Sequence, residues 1–564
     1  RTRAVERPRE PPLIGFAKPV ELWHAVSTAM KSTMFRAAVA AMVLCWGSSH
    51  RLVGQAPAPD LLASYHFVGG AQLSSRPDST TLREVMGLPQ SHALARYVLD
   101  RLAQAPQTLF PDAIDPTQAD KGKALLREML NDLLPRESFL DVRGRSGTAP
   151  GWIFGIALAD DRAALWQANL SELMALWKLG APDIGEQAGL KIATVKSGQG
   201  ATVVRWTRTG EWLLLGVGGD RFEAWDLILT TVRQSQRPRP ALADEWFNAE
   251  FNLARWAAPA GLPKATFWPQ VKLSATGREA DVRVTSSLVF AEEMTGPLDP
   301  WQVPTNLIQE PLISFTAWRG ARPWLSRSDA LARLGLAPAP NEVYFWAQSL
   351  SVPQSLLAFP ADDPLNRVKA MQAPALELLP ANWRERGLGQ IEWQEENQQL
   401  VWKSLPLLFP HLRPGTDGGR GFITGGLFPA LQTTNAPPQE LLRQFVGKPD
   451  LVYYNWEITA RRLMQLRLQA QLAGMVGGKV VLLTNSPALP WLIELEQRLG
   501  NSITEVATVS PRHWSLTRRA PIGLTATEIT AALCWFDSLD FPRLTLRLPD
   551  RPAPAPKPKT TRKR

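Results

Sequence analysis

Cysteine is nearly absent from this chain: 564 residues carry two, Cys45 and Cys534. No close pair exists to build a thiolate metal site. Histidine is scarce as well. Past residue 60 there are His66, His92, His411 and His513, and none stands in a metal-ligand spacing such as H-E-x-x-H. Isolated histidines of this kind are expected to be structural. Also missing are the G-x-S-x-G nucleophile elbow and a phosphate loop ending in G-K-[ST]. The sequence therefore assigns no catalytic residue, no metal ligand and no cofactor. Beyond the first 56 residues no run is long and apolar enough to form a membrane-spanning helix, which needs about 20 residues.

What is present begins with a second apparent start. "MKSTMFRAAVAAMVLCWGSS" (30–49) has Lys31 and Arg36 after Met30, then an uncharged apolar run from Ala37 to Trp46. Small and polar residues follow as far as Ala56. That order is the secretory signal pattern, and the run is too short to span a bilayer. Residues 30–56 are thus expected to be a signal peptide, and residues 1–29 an upstream extension outside the fold. Leu44 before Cys45 argues against a lipid anchor, because a lipoprotein signal needs a small residue there. With the leader removed Cys534 stands alone, and in "AALCWF" it reads as a small buried side chain.

The net charge of +10 is concentrated at the ends. "PDRPAPAPKPKTTRKR" (549–564) holds six basic residues against Asp550. It has no large apolar side chain to bury, so it is expected to be a disordered basic tail able to contact an anionic envelope surface. The body between leader and tail is close to neutral, which does not fit a nucleic-acid binder. At 45% hydrophobic and 20% charged residues its composition is that of a globular protein.

Along the body, strand and helix signals alternate. "GWIFGIAL" (151–158) precedes Asp160 and Asp161 and a helix with Trp166, Leu170, Leu173 and Trp177 on one face. "ATVVRWTRTGEWLLLGV" (201–217) predicts a hairpin across Thr209-Gly210. A helix capped by Asp220 and lined by Phe222, Trp225, Leu229 and Val232 follows. "QIEWQEENQQLVWKSL" predicts a hairpin turning near Asn397. "DLVYYNW" (450–456) leads into a helix with Met464, Leu468 and Leu472 inward, ending at Gly474. "KVVLLT" (479–484) reads as a strand before a helix carrying Leu492, Leu495 and Leu499. "ITEVATVSPRHWSLTRR" predicts a hairpin across Pro511, followed by a capping box of Thr525 and Glu528. The hairpins point to an α+β fold with largely antiparallel sheets and packed helices. Hairpin-then-helix at 201–232 and again at 503–537 suggests two related halves. The loop-like "RQSQRPRPALADE" (233–245) suggests a boundary between domains at 57–240 and 241–548.

Two features could carry chemistry. The acid pairs Asp160-Asp161 and Asp362-Asp363 would suit a glycan hydrolase only if two carboxylates faced each other across a bond; as neighbours at helix starts they read as caps. "PTNLIQEPLISFTAWRGARPWL" (304–325) places Trp318, Arg319, Arg322 and Trp324 around Gly320. Two indoles and two guanidiniums on one turn could stack a sugar or clamp a carboxylate, so these four are the candidate ligand-binding residues. The competing explanation is a core strand end with arginines at the surface.

"YHFVGGAQL", "WQVPTNLIQEPLISFTAWRG", "GFITGGLFP" and "LVYYNWEIT" resemble segments of a family of uncharacterised exported proteins of Gram-negative bacteria, of the domain-of-unknown-function type, over roughly residues 60–546. The resemblance implies export and one long body, and it carries no site residue. The function expected is that of an exported periplasmic or envelope-associated protein. It would act by binding a glycan, lipid or protein ligand, without catalysis. The alternatives are an envelope glycan hydrolase using carboxylates and a structural envelope protein.

Overall fold

The computed structural model describes residues 60–109, 115–144, 150–197, 202–219, 222–256, 267–348, 354–379, 384–385, 387–405, 408–429, 437–477, 485–538 and 541–542. The leader, the tail, the Asp220 cap and the strand expected at 479–484 lie outside the described residues.

The first ten strands are β1 Asp60–Phe67, β2 Ser138–Gly144, β3 Gly151–Ala157, β4 Asp183–Gln187, β5 Leu190–Lys196, β6 Val203–Thr209, β7 Trp212–Gly218, β8 Glu245–Asn252, β9 Gln270–Arg278 and β10 Asp281–Val289. The next ten are β11 Leu312–Arg319, β12 Glu342–Gln348, β13 Gln354–Pro360, β14 Gln390–Gln394, β15 Gln399–Lys403, β16 His411–Asp417, β17 Arg420–Gly426, β18 Leu451–Ile458, β19 Asn501–Ser510 and β20 His513–Ala520. All 20 join one antiparallel sheet. Hairpins do this readily, because antiparallel neighbours need only a tight connection.

The helices of the first part are α1 Gly70–Ser75, α2 Thr80–Met86, α3 Pro89–Leu109, α4 Ala119–Leu130, α5 Asp160–Leu176, α6 Glu223–Ser235 and α7 Leu253–Trp256. Those of the second are α8 Arg322–Leu325, α9 Asp329–Arg333, α10 Pro364–Ala370, α11 Gln372–Leu378, α12 Gln439–Val446, α13 Thr459–Gly477, α14 Ala488–Leu495 and α15 Ala526–Asp537.

From one free edge to the seam the order is β4-β5-β6-β7-β3-β2-β1-β8-β9-β10. From the other edge it is β14-β15-β16-β17-β13-β12-β11-β18-β19-β20. The two series are the same order of ten, joined where β10 pairs with β20. At the seam Thr285 faces Thr517, with Val282 against Ala520 three positions to one side and Leu288 against Trp514 three to the other. Irregularities coincide too. Bulges fall between Leu61 and Ala63 in β1 and between Leu312 and Ser314 in β11. Others fall between Glu245 and Phe247 in β8 and between Leu451 and Tyr453 in β18. β1 and β11 both exit through a left-handed glycine, Gly69 (φ 92°) and Gly320 (φ 69°), a conformation that other residues adopt only under strain. Ala159-Asp160-Asp161 and Ala361-Asp362-Asp363 open the helices after β3 and β13.

The strand order therefore restarts between Val289 and Leu312, not at 240/241: β8 pairs with β1, which a break at 233–245 would separate. The hairpin-helix unit β6-β7-α6 stands where β16-β17-α12 stands, and β19-β20-α15 occupies a different place. Loop composition gave the wrong signal at 233–245. The segment is rich in Arg and Pro because Arg237 and Arg239 reach back to Glu137 and Asp141 of the sheet region.

Strand alternation sends successive side chains to opposite faces. One face is covered by α6, over Phe139, Ile153, Trp212 and Leu214, and by α12, over Phe315, Tyr344 and Tyr454. Most other helices cover the second face, where α5 packs on Ile156, Val204 and Trp206. There α13, α14 and α15 pack with one another and with Val85 and Leu94 of α2 and α3. Tryptophan is largely a packing residue: Trp166, Trp206, Trp212 and Trp225 are all buried. The Thr525–Glu528 capping box forms as expected. Two details of α13 differ from expectation. It runs through Gly474 to Gly477, and Met464 and Leu468 face solvent at 48% and 37% exposure while Leu463, Gln465 and Leu466 face inward.

Candidate functional site

The four residues around Gly320 do not form one exposed surface. Trp318 and Arg319 are consecutive on β11, so they leave the sheet on opposite faces. Trp318 is buried among Val343, Phe359 and Tyr453. Arg319 is 3% exposed on the other face. Its guanidinium donates to the carbonyls of Asp299 (2.9 Å), Pro449 (2.6 Å) and Leu451 (2.8 Å) and lies 4.5 Å from the Trp301 ring centre. Nearby, Glu342 accepts from Tyr344 Oη (2.5 Å) and from the Gln302 N–H (2.9 Å). Burial pushes its carboxyl above the ordinary glutamate range. Arg322 is exposed and donates to the Ala339 carbonyl (3.1 Å). Trp324 is half-buried, donates to the Met294 carbonyl (3.2 Å) and packs on Phe290 and Trp514. Three of the four therefore hold the corner after β11 in place, and a ligand would have to compete with those contacts.

The histidines are placed separately. His66 meets Glu137 (2.8 Å) and His513 meets Ser287 (2.8 Å), while His92 is exposed. His411 is 5% exposed, and burial pulls its imidazole down to about 4. The unfolded chain takes up a proton near the ordinary value of about 6.5, whereas the folded chain refuses it until about 4. Stability is therefore lost as pH falls through that window, by about 3 kcal/mol at its acid end. A His411→Gln variant is expected to lose that share of acid sensitivity, read as urea midpoints at pH 7 and pH 4.5. An unchanged pH slope would count against this assignment.

The structure's polar concentration lies elsewhere, under α13 and α15. Across the sheet run two ladders, Ser314–Glu457–Ser502 and Thr316–Asn455–Thr504–Arg518. Glu457 is fully buried; its Oε1 accepts the Ala526 N–H (2.7 Å) at the start of α15. Thr316 donates to Asn455 Oδ1 (2.8 Å), and Thr459 bonds Ser502 (2.6 Å). Arg518 grips Glu528 through both nitrogens (2.7 and 3.0 Å) and donates to Thr504 Oγ1 (2.9 Å). Glu528 in turn accepts the Thr525 N–H (2.9 Å). Burial pulls the Arg462 guanidinium down while Glu457 holds it up, and burial pushes the Tyr453 phenol up. Among the described residues Glu457 Oε2 and Arg462 Nε have no hydrogen-bond partner. Glu457 and Glu528 are thus two carboxylates receiving adjacent backbone donors. Enclosed at 0% and 5% exposure, they leave no room for a sugar between them, and they serve to seat the two helices. Sequence reasoning missed Glu457 and Arg518 because polar residues at alternate strand positions normally mark a solvent face.

The same ladders in the first ten strands read Ala63–Phe251–Val271 and Tyr65–Ala249–Leu273–Ser286. Glu457 is matched by Phe251, Asn455 by Ala249, Ser502 by Val271. The covering helix differs as well. After β18 comes the 19-residue α13; after β8 comes the four-residue α7. After β20 comes α15; between β10 and β11 there is no helix. The resulting floor keeps Tyr65, Phe154, Phe247, Trp152, Trp268 and Leu273 half-buried, with Tyr65 and Phe247 stacked at 6.1 Å.

Among the described residues no group of three or more His, Cys, Asp or Glu is placed to hold a metal ion, and no helix is long and apolar enough to cross a membrane. No family model, no curated protein and no solved structure matches this chain.

Proposed function

We propose that the chain is an exported protein of the periplasm or cell envelope, built from two related halves of ten strands each, that acts by binding an apolar ligand or partner on its first half. Export is supported by the leader order between Met30 and Ala56. Relatedness is supported by the shared strand order, the coincident bulges, the paired left-handed glycines and the repeated Ala-Asp-Asp. One observation supports the binding: at matched sheet positions the second half is polar and roofed by α13 and α15, while the first half is apolar, roofed among the described residues by α7 and, at Leu273, by α1 and α2, and leaves Tyr65, Trp152, Phe247 and Trp268 only partly buried. Aromatic surface left partly exposed is unfavourable unless something covers it in use.

Produced from the whole sequence in a Gram-negative host, the protein is expected in the periplasmic fraction with its first residue between Ala56 and Asp60. Purified, it should bind a single 1-anilinonaphthalene-8-sulfonate, and Phe247→Asn should weaken that binding by about fivefold or more. Peptides from residues 1–29 on the mature protein would dismiss export, and dye affinity untouched by Phe247→Asn would dismiss the site.

A further inference from the structure

We infer that β4, the free edge of the first half, pairs with β4 of a second copy of this chain, in a contact independent of the aromatic surface. The two ends of the sheet stand at matched places in the strand order, and they are finished differently. At the far end β14 is covered. The Trp402 N–H turns to the Pro410 carbonyl (2.9 Å), so Ile391, which faces Trp402 across β14 and β15, turns its own backbone groups to the outer edge. There the Gln372 side chain of α11 donates to the Ile391 carbonyl (3.5 Å), Ile391 is 6% exposed, and Lys369 of α10 lies over Trp393. At the near end all five residues of β4 are exposed, Ile184 to 63%, and among the described residues no strand but β5 pairs with it. A bare edge is a template for another strand, and proteins ordinarily blunt it.

The turn Ala188-Gly189, with φ positive at both residues (58° and 76°), closes the β4–β5 hairpin and fixes which backbone groups are free. Gln187 bonds to Leu190, and by alternation Gly185 bonds to Ile192 and Asp183 to Thr194. Ile184 and Glu186 therefore present their N–H and C=O outward. The antiparallel registers that would join these groups to their copies differ in what they oppose. Centred on Ile184, pairing sets Glu186 against Pro182, which has no N–H. Centred on Glu186, it sets the two glutamates face to face. Centred on Gly185, it joins Ile184 of each copy to Glu186 of the other and lays Asp183 across from Gln187, so no like charges meet. The acids that discourage indiscriminate pairing at this edge thus permit one register. The contact is isologous. It uses the bare edge of both copies, and because the far end is covered it stops at a dimer. A five-residue edge falls well short of the ~1,600 Å² of a standard interface, so the dimer is expected to be weak, with a micromolar or higher dissociation constant.

The test is sedimentation equilibrium of the purified full chain over a series from low to several hundred micromolar, joined to cysteine cross-linking. A reversible monomer–dimer equilibrium is expected. Glu186→Pro removes an outward N–H and leaves the hairpin's own bonds in place, so it should keep the melting temperature and weaken the dimer about tenfold or more. Gly185→Cys sets two thiols across the twofold axis, where facing Cα atoms of a non-hydrogen-bonded pair lie about 4.5 Å apart, within disulfide reach. A Cβ added at Gly185 meets nothing within 4 Å, so the variant should fold. Mild oxidation should link Gly185→Cys into a dimer on non-reducing gels, and should link neither the parent nor Gln187→Cys, whose thiol would face Asp183. Should Glu186→Pro unfold, the cysteine variants decide alone. A monomer at every concentration with no link through Gly185→Cys overturns the inference. A dimer without that link, as tight in Glu186→Pro as in the parent, uses another surface and overturns it as well. Linking through Glu186→Cys but not Gly185→Cys would show the register to be wrong, and the inference with it.

Discussion

Arg319→Ala is expected to cost about 3–5 kcal/mol of folding stability, the range for stripping one partner from a buried charged arrangement. Reading the sequence alone, the same substitution should have been silent for stability and costly for ligand binding. The structure reverses that expectation. Three backbone carbonyls, those of Asp299, Pro449 and Leu451, converge on one guanidinium that is 3% exposed. Each carbonyl left buried without a donor costs about 1–3 kcal/mol. Glu342 would also lose the cation that draws its raised carboxyl back down. Arg319→Lys should recover little, because an ammonium cannot fork toward carbonyls on both the 299 and the 449–451 segments. Urea denaturation of the two variants checks this; a loss below about 1 kcal/mol in Arg319→Ala would show that the corner is held by the packing of Trp318 and Trp324 instead.

The second large effect is at Arg518. Arg518→Leu is expected to lose about 3–5 kcal/mol, because Glu528 keeps its charge at 5% exposure with both oxygens stripped of their guanidinium partner. Adding Glu528→Gln should return part of that loss, since glutamine still completes the capping box with Thr525 but brings no buried charge. The sign of the coupling is the decisive readout. Independent sites would add, and a double variant as unstable as the sum of the singles would mean that Arg518 acts mainly through Thr504. The matched position in the first half is Ser286, so the fold itself does not require an arginine there. What requires it is α15, whose first turn ends on Glu528 and Glu457.

These cases show what was legible in the sequence. Local devices were: the β19–β20 hairpin turn at Pro511, the Thr525 cap, and the inward faces of α5 and α6 with Trp166, Leu170, Trp225 and Leu229. Each is set by residues within a few positions of one another. The candidate cluster around Gly320 failed for an equally local reason. Neighbours on a strand diverge, so Trp318 and Arg319 could never share a concavity once "LISFTAW" was strand. The four-residue spacing placed Leu472 inward, as found, but misplaced Met464 and Leu468, because α13 sits on a polar network and turns Gln465 toward Ser355 (3.1 Å). The pairing of β1 with β8, or of β10 with β20, leaves no trace in any window of sequence, since the partners are remote along the chain.

The seam between β10 and β20 has a kinetic meaning. Every other junction in the sheet can form within one run of ten strands, but this one brings together Thr285 and Thr517 across more than two hundred residues of intervening chain. Loop-closure entropy makes such a contact late, to form after both arms have taken shape. Until it closes, each arm presents a full-length unpaired edge of nine or eight residues. An unpaired edge of that length is open to pairing with a strand of another molecule. Correct closure is favoured by tethering and by contacts across the seam, Ser287 with His513 (2.8 Å) and Arg519 with Asp281 (2.6 Å), and the connection from Phe290 to Glu310 keeps that assembly within one chain.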